Sequence, residues 1–327
     1  MPEVVTFGEC MLRLSPPDFQ RLEQATQLNI SVGGSELNVA AGVSRLGLSA
    51  AWISRLPENP LGRMVRNKAR EMGVDTSFVV WTKEDRLGLY FVEYGASPRP
   101  SSVLYDRAIS AISRIEPGAV PWKQAFEGCR LFHVSGITPA LSDSAAAVTA
   151  EAIAAAKAAG ALVSYDLNYR AKLWTTQKAR QVQTPFMADV DILITTEEDV
   201  ERVFDITGKD YREVAQALAE RFHLKVVAIT LRGTPSVWRN TWSALAYSDG
   251  KFYDDVTHEV EVVDRVGSGD TFSAGFLYGY LTQGIERGLK VGNAFAALKH
   301  TAWGDFNWTT LEETESLIKG VGLRIVR

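Results

Sequence analysis

The run Asp264-Arg-Val-Gly-Ser-Gly-Asp-Thr-Phe-Ser-Ala-Gly-Phe276 sets one carboxylate, Asp270, where a glycine-bracketed turn meets a helix. Gly267 and Gly269 lack a Cβ, so backbone N–H groups can line a concavity and approach an anion closely. The helix behind them adds unpaired N–H groups and the positive end of its dipole. A carboxylate aimed at a phosphate is electrostatically wrong unless it is a base that takes the proton of an attacking hydroxyl. The pattern points to phosphoryl transfer to an alcohol. The same residues also read as a tight turn and a helix N-cap at Asp270, and the local sequence gives both readings equal weight.

Two other phosphate loops are excluded. No Gly-x-x-x-x-Gly-Lys-Ser/Thr run occurs, and a dinucleotide turn would need glycine at position 272, which is Phe. The four histidines, His133, His223, His258 and His300, form no metal-ligand pattern. Cys10 and Cys129 lie far apart and read as two reduced thiols of a cytoplasmic protein. The 327 residues carry a net charge of −4 and no basic run, which argues against a nucleic-acid partner. The N-terminus has no apolar core of a signal peptide, and no stretch approaches a membrane span. An apolar fraction of 46% suits a sizeable core.

The elements that must position Asp270 alternate strand and helix. Strands are expected at Val4–Gly8, Ala51–Ser54, Leu131–Val134, Leu162–Asp166, Ile192–Thr195 and Val226–Thr230. Helices are expected at Glu36–Leu46, entered through Gly33-Gly34, at Leu61–Met72, at Asp143–Ala159 and through most of the chain after residue 270. In that last part Phe272, Phe276, Leu277, Tyr280 and Leu281 share a stripe. The order predicts a mainly parallel sheet with helices on both faces, an α/β fold with ligands at the carboxyl ends of the strands. Two segments, about residues 11–32 and 87–110, alternate like strands without helices. They are expected to form a small antiparallel β lid that excludes water, on one domain spanning 1–327.

Three stretches together resemble the ribokinase-like (PfkB-type) carbohydrate kinases: Asp264–Phe276, Gly33-Gly34-Ser-Glu-Leu-Asn38-Val-Ala-Ala, and Asp166-Leu-Asn168-Tyr-Arg170. The resemblance runs from Val4 to about Asn307. With Arg99-Pro-Ser-Ser-Val-Leu-Tyr105-Asp-Arg107 and Lys299-His-Thr-Ala-Trp-Gly-Asp305-Phe-Asn307 added, it is closer to the 2-keto-3-deoxygluconate kinases. Two departures stand out. Thr195-Thr-Glu-Glu198 replaces the usual Asn-x-x-Glu, and Ser268 replaces a usual Ala or Gly, with its N–H expected to stay available.

The resemblance implies transfer of the γ-phosphoryl of ATP to a sugar hydroxyl. Asp270 would be the base, and N–H groups of Gly267, Ser268, Gly269 and Asp270 would form the anion hole. Gly33, Gly34, Asn38, Tyr90, Tyr105, Arg107, Arg170 and Asp305 would bind the sugar, the two arginines reading a carboxylate or the nearby phosphates, with Asp305 equally open to a nucleotide contact or a plain turn. Asn168, Thr195, Thr230, Arg232 and Gly233, with Gly267 and Gly269, would border the nucleotide, and 293–299 and 302–307 would line the adenine. Glu198 would organise the water shell of Mg²⁺. A monovalent cation is a further cofactor that the resemblance leaves open. Open lid edges predict a homo-oligomer. Gluconate- and galactonate-derived acceptors stay equally open. Same-fold kinases for fructose, 5-keto-2-deoxygluconate or ribose are the rivals. A nucleoside or vitamin-like kinase and a non-catalytic sugar sensor are more distant ones.

Overall fold

Strands with apolar residues on both faces demand a sheet covered on both sides. In the computed structural model, which describes residues 1–320, Val4–Phe7 is buried at every position. Val4 and Val5 enter different hydrophobic clusters, one on each face of the sheet. Its strands lie in the order Lys251–Asp254, Arg239–Ser248, Val226–Ser236, Ile192–Thr195, Leu162–Asp166, Leu131–Ser135, Val4–Phe7, Ala50–Ile53, with His258–Glu261 also paired to Arg239–Ser248. The pairings from Ala50–Ile53 to Val226–Ser236 are all parallel. Among the described residues no helix is long and apolar enough to cross a membrane.

The sheet also holds a hairpin that the sequence did not reveal. The strand expected to end at Thr230 runs on to Ser236 and turns back through Arg239–Ser248, antiparallel. A register shift between Gly233 and Ser236 accommodates Pro235, which cannot donate to the ladder. That proline hid the strand.

The expected second sheet is present, in the order Asn29–Gly33, Met11–Ser15, Gly88–Glu93, Ser102–Asp106. It consists of two antiparallel pairs joined by a parallel pairing of their first strands. Residues Arg13, Tyr90 and Tyr105 fall in one cross-strand row.

Two helices converge on the turn around Asp270. Ser35–Leu46 and Ser268–Gln283 pack so closely that a Cβ on Gly42 would lie 2.6 Å from the Ala274 methyl. On its other side Ser268–Gln283 meets the helix Ile285–Lys299, where a Cβ on Gly275 would lie 2.8 Å from the Gly292 Cα. The helix that carries Asp270 is thus clamped between backbones, with little freedom to slide.

Glu36, in the first turn of Ser35–Leu46, is fully buried. Its Oε1 accepts from the Ser135 N–H at 3.0 Å and from the hydroxyls of Ser135 and Thr138, both at 2.8 Å. Its Oε2 is buried with no partner among the described residues. Burial pushes its pKa up to about 7, against those hydrogen bonds. A carboxyl raised in the folded state is neutral there while its unfolded counterpart ionises. Its contribution to stability therefore falls as pH rises from about 4.5 to about 7. Glu36→Gln should gain on the parent chain by roughly 3 kcal/mol across that window in urea unfolding. A difference that does not change with pH would mean that folding does not raise the pKa of Glu36.

Candidate active site

A cleft of about 620 Å³ opens at the carboxyl ends of the parallel strands. Asp270 lies half-buried in it, in the first turn of Ser268–Gln283. Its Oδ1 accepts from the Ser35 hydroxyl at 2.8 Å and its Oδ2 from Asn38 Nδ2 at 2.6 Å. Asn168 Nδ2 in turn donates to the Ser35 oxygen at 3.3 Å. Asn38 and Asn168, expected at the sugar and the nucleotide, thus also hold the carboxylate directly or through Ser35. Burial raises the pKa of Asp270, opposed by the bonds from Asn38 and Ser35 and by the charges of Arg170 and Arg232. Such a carboxylate is fixed in direction and a better proton acceptor than a free one.

Gly267 caps the helix in the left-handed region, φ 83°, and a Cβ there would lie 2.4 Å from the Asp305 carbonyl oxygen. Glycine is required on both counts. The Ser268 N–H, expected to face an anion, instead donates to the Arg265 carbonyl at 3.2 Å. The turn closes on itself there. The N–H groups of Gly267, Gly269 and Asp270 have no partner among the described residues, so the anion hole is one donor smaller than expected.

Two guanidiniums flank this hole. Arg232 stacks over the Trp242 ring at 4.8 Å and lies against Gly269, whose Cβ would sit 3.0 Å from Nη2. Arg170 bonds only the Tyr169 carbonyl, at 3.2 Å. Neither is ion-paired among the described residues. Three carboxyl groups face them: Asp270, Asp166 and Asp199. Burial, then repulsion from Asp270 and Asp199, pushes Asp166 up to about 8. Burial raises Asp199 as well.

Mutual repulsion of this kind is what a cation relieves, so the residues fit a divalent metal at the mouth of the cleft. Among the described residues no three His, Cys, Asp or Glu converge closely enough to ligate one directly. A metal held through waters and phosphate oxygens fits that arrangement. Glu198 is at the rim, mostly exposed and 3.3 Å from Arg202, whereas Asp166 and Asp199 point inward. Thr195 and Thr230 line the cleft, but Gly233 does not, and a Cβ on it would meet the Thr241 hydroxyl at 2.3 Å. Asn293 is bonded to Asp255 and Val256 away from the cleft.

The small sheet supplies the opposite wall. Tyr90 and Tyr105 stack with ring centroids 5.9 Å apart, and both line the cleft. The Tyr90 hydroxyl bonds the Asp305 carboxylate, which packs against Gly33. Gly34 is equally crowded, its Cβ position 2.0 Å from the Glu9 carbonyl. Arg107 is paired with the buried carboxylate of Glu9, which also accepts from the Ser110 hydroxyl at 2.6 Å. Arg107 is therefore already engaged, whereas Arg170 and Arg232 have no ion pair among the described residues. Sequence reasoning missed Glu9 and Ser35, although an acid directly after the first strand and a hydroxyl directly after Gly33-Gly34 were available signals.

It also missed Arg13, the one charged residue of the strand Met11–Ser15. Fully buried, it reaches Asp264 at 2.7 Å and Asp305 at 3.2 Å. Asp264 also accepts from the Tyr94 hydroxyl and the Gly304 N–H, both at 3.1 Å. Removing one partner of such a group strands the others. Arg13→Met is expected to lower unfolding free energy in urea by about 3–5 kcal/mol. A loss within about 0.5 kcal/mol, as for an ordinary surface change, would show that the two carboxylates do not depend on it.

Residues 1–307 match the profile of the pfkB family of carbohydrate kinases. A 2-dehydro-3-deoxygalactonokinase from Haloferax volcanii is 40% identical over 319 residues, 97% of each chain. A crystal structure of a 2-dehydro-3-deoxygluconokinase from Thermotoga maritima matches with TM-score 0.95 and 41% identity, covering 97% of this chain and 98% of that one. A 5-dehydro-2-deoxygluconokinase from Bacillus licheniformis is 30% identical over 325 residues, 97% of this chain and 95% of its own.

Proposed function

This chain belongs to the pfkB family of carbohydrate kinases, and from that premise we propose that it passes the γ-phosphoryl of ATP to a hydroxyl of a 2-keto-3-deoxy sugar acid, 2-keto-3-deoxygluconate or its galactonate counterpart. The observation that carries the reading is Asp270, oriented by Ser35 and Asn38 beside the free N–H groups of the helix start. The carboxylate takes the proton of the attacking hydroxyl. The N–H groups of Gly267, Gly269 and Asp270 receive charge on the moving phosphoryl oxygens. Arg232, against Gly269, neutralises the same oxygens from the far side.

Asp166 and Asp199 would hold Mg²⁺ through its waters, and the metal supplies charge neutralisation of the phosphates. Arg170 takes the sugar carboxylate, with Tyr90 and Tyr105 stacked along the acceptor. The small sheet acts as a lid, which keeps water from competing for the phosphoryl group. Its outer strands leave edges that suit pairing of subunits. A 5-keto-2-deoxy sugar acid is the second reading, favoured by the Bacillus licheniformis relative. Turnover measured with both acids and with fructose tests the choice. Preference for fructose would overturn the carboxylate reading and keep Asp270.

Asp270→Asn should keep ATP affinity in calorimetry while turnover falls by roughly 10²–10⁴-fold. Near-normal turnover would remove Asp270 as the base. Arg170→Ala should raise KM for the sugar acid well above any change in KM for ATP. Equal rises would assign Arg170 to the phosphates.

A further inference from the structure

Lys299 ends the helix Ile285–Lys299 and is completely buried. Its Nζ donates to two backbone carbonyls, of Asp264 at 3.2 Å and of Ala302 at 3.1 Å. Among the described residues no carboxylate lies within ion-pair distance of it. A buried ammonium ordinarily takes a carboxylate partner. One bonded by carbonyl oxygens alone has the surroundings of an alkali cation, whose hydration shell such oxygens replace.

The two carbonyls belong to the two segments that shape the anion hole. Asp264 opens the signature turn, and its side chain binds the Val266 N–H at 3.0 Å and the Gly304 N–H at 3.1 Å. Ala302 precedes Asp305, whose carbonyl oxygen would lie 2.4 Å from a Cβ on Gly267. Fixing Asp264 and Ala302 together therefore fixes the backbone beneath Gly267.

We propose that the Lys299 ammonium is a tethered monovalent cation, filling a site of the kind that takes potassium or ammonium and joining the two turns under the anion hole. Lys299 is a positioning residue: it touches neither the cleft nor the reacting atoms. The chain then needs no free alkali cation. Lys299→Ala opens the site, and Lys299→Met removes the charge while keeping most of the apolar stem.

The test is thermal unfolding of the full chain and both variants in tetramethylammonium chloride, and in potassium or ammonium chloride at equal ionic strength. Both variants should melt below the parent in tetramethylammonium. Lys299→Ala should regain stability, saturably, with potassium or ammonium, and the parent should show no such preference. Kinase turnover, read as ADP directly and resting on the function proposed above, should follow. Lys299→Ala should fall roughly a hundredfold in tetramethylammonium and recover with potassium. Selective potassium stabilisation of the parent overturns the proposal. So do variants that respond to no small cation, including variants that stay unfolded in every salt. A parent inactive on every sugar would sink the kinase reading, yet the melting result would still decide this one.

Discussion

A guanidinium with no access to water joins three pieces of chain that are far apart in sequence. Arg13 comes from the small sheet, Asp264 from the signature turn and Asp305 from the turn that follows the last long helix. Charges buried at this depth are tolerated only when each is paired and hydrogen-bonded. The network supplies the pairing, with Tyr90, Tyr94 and the Gly304 N–H as further partners, while Nη1 of Arg13 is buried without a hydrogen-bond partner among the described residues. The cost of breaking any one link is an orphaned charge. That cost keeps the wall of the cleft in register with its floor, and it makes the geometry around Gly267 a property of tertiary structure rather than of a local turn.

On that footing Asp270 faces the starts of two helices. Ser35–Leu46 sends Ser35 and Asn38 to its two oxygens, while its own helix presents free N–H groups beside it. The close approach at Gly42 and Ala274 makes the convergence sterically attainable. Burial alone would push the carboxyl toward its neutral form. The two hydrogen bonds and the two arginines pull it back. The balance leaves a carboxyl with its pKa raised, less stabilised as an anion than a carboxylate in water.

Much of this was legible in the sequence where the signal is local. Glycines bracketing an acid at a helix start, and apolar runs alternating with helical stripes, carry their meaning within a dozen residues. Strands at Leu162–Asp166 and Ile192–Thr195 fall where the pattern put them. What escaped depends on partners distant in the chain. Arg13 reads as a stray cation until Asp264 and Asp305 close on it. Ser35 reads as a helix-start hydroxyl until Asp270 arrives from 235 positions away. Ser268 looked like a free donor because nothing in the sequence shows the turn folding back onto Arg265. Pro235 broke the alternation of a strand that in fact continues through a bulge.

The charges of the cleft carry an argument about its acceptor. Asp166, Asp199 and Asp270 face Arg170 and Arg232 across the cleft, with Asp166 pushed by burial and by repulsion from the other two carboxylates up to about 8. A nucleotide with its metal would still bring net negative charge to the strand ends, which the arginines of the cleft would offset. Arg107 is already satisfied by Glu9, and Arg232 is drawn to the phosphate side by its stack on Trp242. Arg170, like Arg232, has no ion pair among the described residues, and it has no aromatic stack there either. A neutral sugar would leave that guanidinium to water, whereas a sugar acid would pair it with a charged hydrogen bond. That guanidinium is thus the physical ground of the proposal that the acceptor is a sugar acid rather than a plain hexose.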